Sequence, residues 1–100
     1  MTFKAAFMFI APEVKAKENT HEFLSPGISL TVVGVSTYDE AIKVATELVD
    51  NGVGAIELCA GFGNEGVAKI KKAVGDKAKI GVVRFDSHPG FGYKSGDELF

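Results

Sequence analysis

Four side chains suited to acid–base or charge chemistry fall on or just beyond two apolar runs: Glu57, and Arg84, Asp86 and His88. Between them lies Gly61-Phe62-Gly63-Asn64-Glu65-Gly66, a G-x-G-x-x-G string that follows one apolar run and opens a helical one. Glycines at such a turn let backbone amides approach a phosphate, and the N-terminus of a helix favours an anion. The backbone of Gly61, Gly63, Asn64, Glu65 and Gly66 is therefore the candidate ligand cradle. Glu57 is the candidate general base or ligand acceptor, and Arg84 the candidate anion clamp. Asp86 stands where a ribose-binding carboxylate would sit in a dinucleotide site. It also lies two residues before His88, close enough in sequence to orient the imidazole. Strand alternation places Glu57 and Arg84 at similar distances from their strand ends, and a buried charge needs a partner, so the two are expected to pair.

Each feature has a plainer reading. Glu57 and Arg84 could form a structural ion pair, and the glycines could serve only close helix–strand packing. A dinucleotide is disfavoured against a smaller anionic or phosphate-bearing ligand. The motif lies in the third strand unit, its strand carries a charge, and too little chain follows for a second nucleotide half. Cys59 reads as a small buried hydrophobe rather than a thiolate activated by the helix. His21 reads as a surface residue. Gly92-Tyr93-Lys94-Ser95 lacks the glycine before lysine that a phosphate loop needs. One cysteine and two histidines indicate no metal site, and no cofactor is specified.

The elements that must position these residues follow from hydrophobic pattern. Phe3 to Ala11 is almost continuously apolar, as in a parallel strand covered on both faces. Glu13 to Leu24 has weak helical periodicity after Pro12, and Ser25-Pro26-Gly27 is a turn. Ile28 to Val35 is a β-branched strand. Thr37-Tyr38-Asp39-Glu40 matches a capping box that starts a helix, and Asn51-Gly52 stops it. Val53 to Cys59 is the third strand, Asn64 to Val74 a helix ended by Gly75, and Lys79 to Asp86 the fourth strand. Residues 87–100 form a glycine-rich tail.

This alternation predicts a single α/β domain over residues 1–100, with four mainly parallel strands in βα units. The favoured architecture is an open sheet with helices on both faces. Half of a β/α barrel, completed by a partner chain, is the alternative. In both, ligands sit at the carboxyl ends of the strands.

The net charge of −2, from 11 basic and 13 acidic residues, gives no electrostatic case for nucleic acid or an anionic membrane. No segment reads as a membrane span, and the compartment expected is the cytoplasm. A chain of 100 residues buries a modest core, so a homo-oligomer, dimer or larger, is expected. Two functions stand open. One is a small-molecule site, enzymatic or not, at the glycine turn. The other is a non-catalytic oligomeric domain whose tail, with Phe91, Tyr93 and Phe100, packs on a neighbouring subunit.

Three strings together, Glu57-Leu58-Cys59-Ala60-Gly61-Phe62-Gly63, Val82-Val83-Arg84-Phe85-Asp86 and Lys94-Ser95-Gly96-Asp97-Glu98, resemble a family of short proteins of unknown function. The resemblance spans essentially the whole chain and implies its extent. It implies no catalytic residue. The segment Glu57 to Gly61 is also similar to strand ends in aldolase-like barrels, but the Schiff-base lysine of those enzymes has no counterpart in these strands.

Overall fold

The computed structural model describes residues 2–100. Strands β1 (Phe3–Ile10), β2 (Thr20–Leu24) and β3 (Ile28–Val35) precede helix α1 (Tyr38–Asp50). Strand β4 (Ala55–Leu58), helix α2 (Asn64–Val74) and strand β5 (Lys79–Val82) complete the regular core. Single 3₁₀ turns follow at Pro89–Phe91 and Gly96–Glu98. Among the described residues, no helix is long and apolar enough to cross a membrane.

The strands form one mixed sheet in the order β2-β3-β1-β4-β5. β1 lies at its centre, parallel to β3 on one side and β4 on the other, and β5 continues the parallel run. This order corrects the barrel alternative, because half of a barrel would hold its strands in sequence order. The helix expected over 13–24 is also absent. Residues 12–19 are turns, with Glu13 at positive φ, and 20–24 become β2, paired antiparallel to β3. The cause is the tight turn at Ser25-Pro26-Gly27, where the Ser25 amide and hydroxyl both donate to the carbonyl of Ile28. A turn closed this tightly returns the chain as a hairpin.

Losing that helix changes the layering. α1 and α2 pack against each other on one side of the sheet, where Ala41, Ala45, Ile70 and Val74 meet Ala6, Met8, Ile10, Val33, Val35, Ile56 and Leu58. The expected second helical layer does not form. The opposite face carries Phe3, Ala5, Phe7 and Phe9 of β1, and Ile28, Leu30 and Val32 of β3, by strand alternation. None of these is fully buried, and Phe3 is 51% exposed. β2 adds Phe23 to the same face, 61% exposed.

Local signals set the helix ends. The Thr37 hydroxyl accepts from the Glu40 amide at 3.0 Å. The Glu40 carboxylate accepts from the Ser36 amide at 2.8 Å and from the Ala16 amide at 3.0 Å. Its partial burial opposes ionisation, but these amide donors prevail and hold its pKa below the usual carboxylate value. Glu40 thereby ties the 12–19 segment to the start of α1. Gly52, at φ 93°, makes the left-handed stop.

Candidate functional site

The glycine turn lies where the sequence places it. β4 ends at Leu58, Gly63 is the N-cap of α2, and Asn64 is its first residue. A helix start without a side-chain cap leaves amide donors unpaired. Here the partner is Asp97 of the C-terminal segment. Asp97 Oδ2 accepts from the Glu65 amide at 2.9 Å, and Oδ1 accepts from the Gly66 amide at 3.1 Å. Oδ1 also accepts from the Tyr38 hydroxyl at 2.7 Å, and that hydroxyl accepts from the Gly63 amide at 3.1 Å. One carboxylate thus joins the start of α1, the glycine turn and the tail.

The glycines make room for this contact. A Cβ on Gly63 would fall on the Asp97 carboxylate, and one on Gly66 would lie 2.5 Å from the Tyr38 ring. Neither residue has positive φ, so space rather than backbone conformation requires them. The Tyr38 ring stacks on Phe62 at 5.9 Å and meets Phe100 at 6.3 Å, while Phe91 meets Phe100 edge-on. The tail thus packs on its own chain through Phe91 and Phe100, while Tyr93 alone of its aromatics is strongly exposed, at 72%. Ser95 and Glu98 set the last turn through a reciprocal capping box.

The electrostatics match. Burial would raise the Asp97 pKa, but the donors at Glu65, Tyr38, Gly66 and Asn64 prevail and hold it below the ordinary 3.8. Burial and the facing Asp97 carboxylate push the Tyr38 phenol well above its ordinary range. Because folding lowers the Asp97 pKa, this contact stabilises the fold fully above pH 3.8 and loses that contribution as pH falls through the lower folded value. The urea midpoint of the wild type should therefore drop below about pH 4, and Asp97→Asn should flatten part of that drop. Glu40, shifted the same way, supplies a remaining part. An acid limb identical in Asp97→Asn would show that Asp97 does not carry it.

The charged candidates do not converge. Glu57 is exposed on the uncovered sheet face. β5 stops at Val82, so Arg84 lies beyond the strand and alternation no longer governs it. Its Nε donates to Asp86 Oδ1 at 2.8 Å, with both side chains largely in solvent. The expected Glu57–Arg84 pair is not formed, and an exposed pair of this kind contributes little. His88 is not oriented by Asp86. Its ring stacks on Phe91 at 4.2 Å, and its Nδ1 accepts from the Gly90 amide at 3.0 Å. Cys59 is half-buried, and its Sγ accepts from the amides of Ile10 and Gly61. Among the described residues, no group of His, Cys, Asp and Glu is arranged to hold a metal ion.

The concavity at the strand ends is small, about 120 Å³ between Phe62, Asn64, Val67, Val82, Val83 and Arg84. That falls below the roughly 300–1,000 Å³ of ligand pockets. A larger groove of about 430 Å³ lies elsewhere, between α1 and the β2–β3 hairpin. The residues that sequence reasoning missed are Tyr38 and Asp97. Ser95-Gly96-Asp97-Glu98 is itself an S-x-x-E capping signal, and it would have marked the tail as ordered.

With this geometry in hand, the comparisons with known proteins give one positive result. The model of a family of unknown function, DUF6506, matches residues 3–98. No curated protein and no solved structure matches the chain. The chain belongs to the DUF6506 family.

Proposed function

We propose that this DUF6506 member is a non-catalytic interaction domain that works through association rather than turnover. The observation that carries this reading is Asp97 on the α2 amides. The donors that would hold a substrate anion already hold a carboxylate of the same chain. Glu57, Arg84, Asp86 and His88 meet no common point at the strand ends, so no acid–base constellation forms there. What remains available is the apolar sheet face.

One observation favours a second reading. The same amides donate to the Asp97 carboxylate, so an anionic or phosphate-bearing small molecule could take the place of Asp97 and release the tail. Titration of the wild-type protein with inorganic phosphate, sugar phosphates and nucleotides separates the two. The interaction-domain reading expects the amide resonances of Asn64, Glu65 and Gly66 to stay fixed. Saturable shifts there, accompanied by shifts of residues 95–98, would establish the ligand reading instead.

A further inference from the structure

We infer that the uncovered face of the sheet is covered by a second copy of this chain, packed face to face about a two-fold axis running along β1. The inference rests on the interaction-domain reading and names its partner.

Three observations carry it. First, the bare faces of β1 and β3 have the composition of buried ones. An antiparallel sheet with one wet face alternates apolar and polar residues, whereas Phe3, Ala5, Phe7, Phe9, Leu30 and Val32 are all apolar. Second, the chain exposes 6119 Å². A compact monomer of 10.6 kDa exposes about 5,500 Å², so the difference is roughly 600 Å². That approaches the ~800 Å² per partner that a standard interface removes.

Third, the polar residues of the face select the arrangement. The register places His21, Val32, Phe7, Glu57 and Gly81 in one row across the sheet. β1 is the middle strand of five, so a two-fold axis along it lays each sheet over the whole width of the other. His21 of the second copy then faces Gly81, where no side chain obstructs it, with Glu57 on the next strand. An axis across the strands through this row would instead set Glu57 against Glu57. Within one chain the two residues lie three strands apart, about 14 Å, and cannot meet.

The test is light scattering and sedimentation at micromolar chain concentration, with circular dichroism as a fold control. The wild type should be a dimer. Leu30→Lys, which would face Ala55 of the second copy beside its Lys79, should weaken it at least about 100-fold by burying an unpaired charge. Glu57→Lys and His21→Glu, both at exposed positions, should each weaken it. The double variant Glu57→Lys/His21→Glu should regain most of the loss, which only contact between copies can explain. Lys72→Glu, on the helical layer, should leave the dimer unchanged. A monomeric wild type overturns the inference. So does a dimer that survives Leu30→Lys, or charge variants whose double does not recover. Failure of the underlying reading is seen separately, in the anion titration.

Discussion

Tyr38→Ala should lower the unfolding free energy by about 3–5 kcal/mol, the range for truncating a buried aromatic ring. Against a total of about 5–15 kcal/mol for a small domain, that brings the fold close to its limit. Three contacts go at once: the stack on Phe62, the packing against Gly66, and the hydroxyl shared by Asp97 and Gly63. Tyr38→Phe isolates the last of these. It keeps the ring but leaves the Gly63 amide and one Asp97 lone pair without a partner, at a cost of about 1–3 kcal/mol. Urea denaturation of both variants checks the pair of values. Equal losses would mean that the hydroxyl, not the ring, dominates. No loss in Tyr38→Phe would remove Tyr38 from the carboxylate contact.

Gly96→Ala should dislodge the C-terminal segment. The new methyl would land on the carbonyl oxygen of Gly61, 2.9 Å from its carbon and 3.0 Å from the Gly63 nitrogen. These are backbone atoms of a buried turn, and no rotamer change relieves them. Either the turn moves or the tail leaves, and the tail has fewer contacts to lose. The expected cost is about 1–3 kcal/mol for overpacking, rising where the Asp97 contact breaks as well. Gly96→Ala and Asp97→Ala should then be strongly non-additive, because each releases the same segment. A double variant whose loss equals the sum of the two would show that the residues act independently.

The parts of this fold that were legible in the sequence are those set by local chemistry. β3 runs from Ile28 to Val35 as its β-branched run implies, and α2 from Asn64 to Val74 between two glycines. The Thr37 cap starts α1 as expected. What failed depended on distant partners. β2 is a strand because β3 lies beside it, and its own residues carry only a weak helical period. Strand alternation makes Glu57 and Arg84 neighbours, but β5 ends at Val82, two residues before Arg84. The glycine turn was correctly placed, yet the group that fills it lies at the far end of the chain. Nothing within residues 57–66 specifies Asp97.

The central position of β1 bears on how the chain assembles. Ala5 pairs with Leu30 on one side and with Ala55 on the other. β1 thus has no pairing neighbour until β3 arrives, and its second edge stays open until β4 does. Among the described residues, the β2–β3 hairpin is the only strand pairing that can close locally. Such reliance on contacts remote in sequence slows folding, because loop entropy is lost before the pairing rewards it. During synthesis, a three-stranded sheet of β1, β2 and β3 would exist before either helix could shield it. One of its faces carries Phe3, Phe7, Phe9, Leu30 and Val32, the other Met8, Ile10, Val33 and Val35, and its β1 edge is unpaired. That nascent species is the one most exposed to misassociation, and the one for which a chaperone would matter most.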